Sequence, residues 1–330
     1  MSNAGHLTAG DIGRISRYNE SSYGQPDSTG FTIGYVKGDG GSFTPNDNPN
    51  QYVAWRSGNR SYSAHDLVAQ NHEAGYTAIM EALASSSALS YIISDALGTD
   101  TGTEAVGALP SKTVHLPIRT PGASSAYHQM DYLGCKTDRL VVKADQPGGI
   151  VEFQETVLAS YGYIKALSAA GDSFQDTNYP AAQWLNGVTV DGTAVYPQNF
   201  ELTINNNLGR VKGMVTAAAD SPWPNQQIAA TVQIVEGRRE IEFSMDVWMD
   251  DLARIAEAQA QGIPATETIV LTLGTGSGAK QLTLTAQPLL DGNNHPLIQD
   301  KQMETLRYRV TDILVSAPST NSPTASSTQA

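Results

Sequence analysis

The residues able to do chemistry are few, and their spacing argues against catalysis. Six histidines are present: His6, His65, His72, His115, His128 and His295. None stands at HxxxH or HExxH spacing. His65 and His72 are seven apart, and no Asp, Glu or Cys beside them completes a metal-ligand set. Gly274-Thr-Gly-Ser-Gly-Ala-Lys280 has the composition of a phosphate loop. A phosphate loop needs a strand before it, a helix after it, and Ser or Thr directly after the Lys. Here Gln281 follows Lys280, and QLTLTA then alternates as a strand, so the glycines read as a hairpin tip. No GxSxG nucleophile elbow occurs. The one cysteine, Cys135, lies in a strand pattern beside Gly134 and reads as a buried structural thiol. Asp246, Asp250 and Asp251 form an acidic edge that reads as solvated. These residues give no catalytic group, no cofactor site and no metal site.

The elements that would carry these residues are mostly strands. The stretch from Asp191 to Asp251 is the clearest. Phe200, Leu202 and Ile204 alternate with Glu201, Thr203 and Asn205, the period of a half-buried strand. Ala229 to Val235 and Ile241 to Val247 follow as two more. The three are expected to form an antiparallel meander, apolar on one face and acidic and polar on the other. A short helix is expected over 252–261, stopped by Gly262 and Pro264. Earlier in the chain, strands are expected at Phe31–Val36, 51–55 and Val114–Ile118, with a loop over 38–50 and another over 98–112. Tyr76–Ala84 reads as a helix with Ile79, Met80 and Leu83 on one face. Leu89–Ile93 is a short apolar run. Tyr132–Lys143 and Ile150–Ala159 read as paired strands joined by a Pro-Gly-Gly turn. Later strands are expected at Thr268–Leu273, Gln281–Thr285 and Glu304–Val315.

The chain of 330 residues can bury a large core, and two cores fit its length. Its formal charge is −13 and only 16% of residues are charged. Such a chain does not coat nucleic acid by neutralising phosphates, which needs clustered Lys and Arg. A single cysteine excludes a disulfide framework. No run approaches the length of a membrane-spanning helix, and MSNAGHLTAGDIG lacks a secretory pattern, which suits folding in a cytoplasm. The expected fold is mainly β (α+β), with two sandwich- or barrel-like domains of antiparallel strands, each with one short helix. The divisions are an extended N-terminal arm over 1–30, a first β domain over 31–160, a connection over 161–185, a second β domain over 186–316, and a flexible tail over 317–330. A faint repeat supports two domains: in each half a strand pattern precedes a helix pattern, at 76–84 and at 252–261, and paired strands follow.

Several stretches, taken in order, resemble the phage tail tube proteins, specifically the longer members of that family. Glu20-Ser-Ser-Tyr23-Gly24-Gln-Pro26 is similar to their E-x-x-Y-G-x-P opening. An Arg-Ser-Gly stretch follows at Arg56–Arg60. Tyr132-Leu-Gly134-Cys135 resembles a strand beginning near Gly-Cys. Asn199-Phe-Glu-Leu-Thr-Ile-Asn205-Asn206-Asn207 resembles a strand ending in Asn-Asn, and Gly237-Arg-Arg-Glu-Ile the strand after it. The resemblance implies a non-enzymatic virion protein, assembled in the host cytoplasm, whose copies form rings that stack into a tube for genome DNA. It implies that the protein's partners are itself, the tape measure, the tail terminator and distal tail proteins. If both halves are tube domains, three chains close a ring, the arrangement preferred over six. The polar side of the central strands (Glu201, Asn205, Glu240, Glu242 and Asp246) is expected to face the lumen. Tyr18, Tyr23, Phe43 and Trp223 are expected at contacts between subunits. The competing readings are a β-sandwich glycan-binding module, with Trp55, Trp184, Trp223 and Trp248 as stacking platforms, and another tail structural protein such as a completion or sheath protein.

Overall fold

The computed structural model describes residues 14–44, 52–53, 67–69, 73–82, 88–98, 109–119, 127–166, 182–248, 265–274, 279–289, 297–298 and 301–316. The first run of elements is β1 (Arg14–Ser22), β2 (Gln25–Thr44), β3 (Tyr52–Val53), β4 (Leu67–Ala69), β5 (Ala74–Ala82), helix α1 (Ala88–Leu97), β6 (Lys112–Arg119), β7 (Tyr127–Ala144), β8 (Glu152–Ala159) and β9 (Tyr161–Ala166). The second run is β10 (Trp184–Val190), β11 (Thr193–Val195), β12 (Asn199–Asn205), β13 (Gly209–Thr216), β14 (Gln227–Val235), β15 (Glu240–Trp248), β16 (Glu267–Leu273), β17 (Lys280–Pro288), β18 (Leu297–Ile298) and β19 (Lys301–Ser316). The fold is mainly β and its strand pairs are antiparallel, as the alternating patterns predict.

One hydrogen-bonded path runs β11-β10-β16-β17-β19-β15-β12-β7-β6-β1-β2-β5-β8, and β8 also pairs with β7. The strands β7, β6, β1, β2, β5 and β8 therefore close a barrel, which removes their free edges. The other seven strands form an open sheet joined to the barrel through β7. Strand β7 can serve both because it is 18 residues long. Tyr127 to Cys135 lie along β6, and Arg139 to Ala144 lie along β12. Its opposite edge carries β9 and then β8. A continuous apolar core links barrel residues such as Ile15, Met80, Leu116 and Phe153 with Leu202, Phe243, Leu284 and Ile313 of the open sheet.

The structure departs from the sequence expectations at several elements. The helix expected over 76–84 is strand β5. Ala74, Tyr76, Ala78, Met80 and Ala82 point inward and their neighbours outward. The same string carries a period-two pattern, and pairing with β2 on one edge and β8 on the other selects it. The helix instead falls at Ala88–Leu97, over the short apolar run. Ile92, Ile93, Ala96 and Leu97 are buried at helical spacing, and Gly98 ends the helix at φ 91°, donating its N–H to the Ser94 carbonyl at 2.7 Å. The repeat pattern loses its first helix by this change. The second expected helix, 252–261, lies outside the described residues, as do the tail over 317–330 and the Arg56–Arg60 stretch.

Strand β2 continues through much of the loop expected from residue 38, with a bulge between Val36 and Gly41. The stretch read as an extended arm becomes, from Arg14, a strand paired with β2 and β6. The start of the expected connection is strand β9. The meander is also rearranged. Strand β12 pairs directly with β15, while β13 and β14 form a separate hairpin. The expected strands at 268–273, 281–285 and 304–315 are present as parts of β16, β17 and β19, and the glycine loop after β16 joins antiparallel neighbours as a hairpin tip does.

Candidate functional site

Alternation along β12 and β15 sends Phe200, Leu202, Ile204, Ile241, Phe243 and Met245 into the core and the expected polar set outward. Glu201, Glu240 and Glu242 are exposed; Asn205 and Asp246 are half-buried. The register brings all five onto one face, with Glu201 beside Ser244, Thr203 beside Glu242, and Asn205 beside Glu240. Asp246 is held by its neighbours. One carboxylate oxygen accepts from the Asn199 amide at 2.7 Å, and the other from the Thr305 hydroxyl at 2.6 Å.

The flanking strands change the character of this face. On one side Lys143 lies beside Glu201 and Arg139 beside Asn205. On the other Arg307 lies beside Ser244 and Arg309 beside Glu242. Sequence reading placed the acids and missed these cations, because the register that aligns them is set between distant strands. The result is two acidic central strands bordered by basic ones, not a purely acidic face. Glu201, Glu242 and Arg307 together line a cleft of ≈ 70 Å³.

Three of the residues expected at subunit contacts, Tyr18, Tyr23 and Trp223, have partners within the chain. Tyr18 meets the His115 ring edge-on at 4.5 Å between centroids. Tyr23 lies over Gly134. That glycine has φ +64°, and a Cβ there would come within 2.8 Å of the Tyr23 ring. Glu20 fixes the same junction. It accepts from the Gly24 N–H at 2.9 Å, the Gly134 N–H at 2.8 Å and the Thr113 hydroxyl at 2.8 Å. Two pieces of the sequence resemblance thus meet in space. The side chain of Phe43 lies outside the described residues. Trp223 is half-buried at the tip of the β13–β14 hairpin, packed on a small second core that includes Leu133, Tyr161, Tyr163, Ala218 and Ile228.

That hairpin is pinned through its inner face. The Ser160 hydroxyl donates to the Thr231 carbonyl at 2.5 Å, and Arg210 donates to the Ala74 carbonyl at 2.7 Å. Lys212 pairs with Glu73. At the tip Asp220 receives the Tyr163 hydroxyl at 2.6 Å and the Lys165 ammonium at 2.9 Å, and Lys165 also reaches Asp131 at 2.9 Å. His115 and Gln129 complete the contacts to Asp131. Burial works against a charged Asp131, but the His115 and Lys165 contacts outweigh it and hold the carboxyl below its usual range. The outer face of the hairpin exposes Val211, Met214 and Val235, at 41%, 59% and 42%. Neither strand contains a carboxylate.

A second polar cluster is buried inside the barrel. Arg17 is 2% exposed and donates to Asp95 of α1 at 2.6 Å, and also to Glu155. Thr137 donates to Glu155 at 2.8 Å, Tyr76 donates to it at 3.2 Å, and Lys112 reaches Asp95 at 3.1 Å. Burial disfavours the guanidinium charge; Glu155, Tyr76 and Asp95 more than offset it and raise its pKa well above the ordinary value. Two cations meet two carboxylates, so the cluster ties β1 to α1, β6 and β8 without a net charge. Its sequence signal is slight: Arg17 stands two residues after Ile15, but Ile15, Ser16 and Arg17 are all buried and a bulge falls between Ile15 and Ser16.

Among the described residues the His115 ring meets Asp131 and Gln129. Cys135 is buried and burial pushes its thiol up, which suits the structural role expected of it. No group of three possible metal ligands occurs among the described residues. Trp184 is fully buried against Phe200, at 4.9 Å between ring centroids, so it offers no sugar platform; Trp55 and the Trp248 side chain lie outside the described residues. No helix among the described residues is long and apolar enough to cross a membrane.

Compared with known families, the chain matches the one described as phage tail tube protein over residues 10–313. A search of the curated proteins finds no match.

Proposed function

We infer the role from one premise: the chain belongs to the phage tail tube protein family. That makes it a structural component of a virion tail. We propose that its copies close into rings, that the rings stack, and that the channel so formed delivers genome DNA. Assembly in the host cytoplasm, and contacts with the tape measure, tail terminator and distal tail proteins, belong to the same reading.

The observation that carries self-association is the β13–β14 hairpin. It forms a sheet of its own, with Val211, Met214 and Val235 exposed on one face. Exposed strands of this kind are aggregation hazards unless a partner covers them. The only charged residues of its two strands are Arg210 and Lys212, with Asp220 at the tip, while the whole chain carries −13. An apolar and basic hairpin on an acidic chain suits a second copy as its partner. The open sheet and the barrel, joined through β7, suit two wall positions per chain and hence three chains per ring.

The lumen in this reading is lined by the polar face of β7, β12, β15 and β19. Electron microscopy of the purified protein at rising concentration tests the assembly, with hollow tubes or stacked rings expected. A monodisperse monomer at every concentration, even when seeded with tail-tip complexes, would overturn it. For the lumen assignment, replacing Glu240 and Glu242 by Lys is expected to slow DNA ejection, and an unchanged rate would remove that face from the lumen.

A further inference from the structure

We infer that Glu201, Glu240 and Glu242 act as masking residues. They neutralise a row of cations on the same sheet face and so keep that face from holding duplex DNA. The inference rests on the reading that this face lines the lumen, and it replaces simple repulsion with local neutralisation.

Four cations share the face: Arg139 and Lys143 on β7, Arg307 and Arg309 on β19. Arg139, Arg307 and Arg309 are exposed. Left alone, four cations on one flat surface would attract phosphates and make sliding costly. The two strands between them carry Glu201, Glu240 and Glu242, together with Asp246, which is already held by Asn199 and Thr305. Side chains directly opposite on neighbouring strands stand about 5 Å apart at Cβ, close enough for opposite charges to interact. The register gives Lys143 the neighbour Glu201, and Arg309 the neighbour Glu242. Arg307 shares its cleft with Glu201 and Glu242. Lys143 has two further carboxylates, Asp145 at 3.5 Å and Glu152 at 3.7 Å. The net charge of −13 is therefore carried elsewhere on the chain. Opposite charges on adjacent strands of this face lie closer together than the Debye length at physiological salt, so the masking survives in the cell.

The test is a duplex-binding titration on the purified full chain, read by fluorescence anisotropy with a short labelled DNA at low salt. The wild type is expected not to bind. The triple variant E201Q/E240Q/E242Q keeps side-chain shape while removing three negative charges, and is expected to bind at least ~tenfold more tightly. Its affinity should fall with salt at a slope of about −0.9 per phosphate contact. Adding R139Q, K143Q, R307Q and R309Q to the triple variant should return binding to the wild-type level. A folded triple variant that binds no better than wild type overturns the inference. A gain that survives loss of all four cations also overturns it, because the DNA is then held elsewhere. If the triple variant does not fold, E201Q/E242Q is read by the same criteria. Tube formation by the wild type is scored separately by microscopy. Intact tubes with no gain in DNA binding sink the masking alone; absent tubes sink the functional reading.

Discussion

At the scale of single residues, buried charge and tight backbone positions decide the structure. Arg17 is enclosed by Glu155, Asp95 and Tyr76 inside the barrel. Removing Arg17 leaves Glu155 without its cation in a poorly solvated interior, while Asp95 keeps Lys112. Arg17→Met is therefore expected to cost about 3–5 kcal/mol. Urea unfolding of the purified protein measures this, and a loss below 1 kcal/mol would mean that water reaches the cluster. Gly134 is constrained in a different way. Its positive φ disfavours any side chain, and the Tyr23 ring and the Ser160 side chain occupy the space a Cβ would need. Gly134→Ala is expected to cost about 1–3 kcal/mol and to displace the turn at Gly24. Each member of this junction is visible in the sequence as part of the family-like motifs. Their meeting is not, because Glu20 and Gly134 are separated by 114 positions and no local periodicity reports such a contact. Asn206 illustrates the same limit. In the sequence it only ends a strand pattern, yet its amide donates to the Ala96 and Thr137 carbonyls at 2.9 Å each and its oxygen accepts from Arg239 at 2.8 Å. Gly237 is required beside it, since a Cβ there would lie 2.3 Å from the Asn207 carbonyl oxygen.

At the scale of elements, the hairpin β13–β14 is where function and stability separate. Its inner face is bound to β8 and β9 by hydrogen bonds and a small apolar core, while its outer face is exposed. Met214→Asp on the outer face is expected to leave the unfolding midpoint within about 0.5 kcal/mol of wild type and to abolish tubes in electron microscopy. Tubes formed normally by this variant would take the hairpin out of the assembly surface. The inner anchor has a pH signature. Asp131 and Asp220 are both lowered; in each, burial opposes the charge and the hydrogen bonds to Lys165 and to His115 or Tyr163 outweigh it. A depressed carboxylate contributes stability that is present above its unfolded pKa, about 3.9, and is lost as pH falls through the folded value. Thermal stability is thus expected to fall below about pH 4, and Asp131→Asn to flatten that decline. An unchanged acid limb in the variant would assign the decline to other carboxylates. Sequence legibility varied by element for physical reasons. Strands with one buried face, such as β12, β15, β16 and β17, announce themselves by clean alternation. Strand β5 did not, because YTAIMEA fits helix and strand periods equally until its neighbours are known. Strand β13 did not either, since both of its faces are largely solvated and no alternation marks it.

At the scale of the whole molecule, the same strand chemistry gives two unlike halves of one sheet. The barrel has closed its hydrogen-bonding edges on itself, whereas the open sheet ends at β11, which among the described residues pairs with β10 alone. Barrel and open sheet are joined at β7, where the sheet splits without a break in pairing, and one apolar core runs through both. This construction bears on ring stoichiometry. If each half supplies one wall segment, a ring needs three chains, and successive wall segments around the channel alternate between barrel-type and open-sheet-type. If only the open sheet faces the channel, six chains are needed and all segments are alike. Three chains are the expected outcome, because β7 carries the polar face of the open sheet and also closes the barrel, placing the two side by side. Native mass spectrometry of dissociated rings would then report a multiple of three 35.1 kDa chains, and averaged end-on images would show threefold symmetry with two alternating kinds of density. Six chains with sixfold density would overturn this, and would make the barrel an outward decoration on a wall built by the open sheet alone.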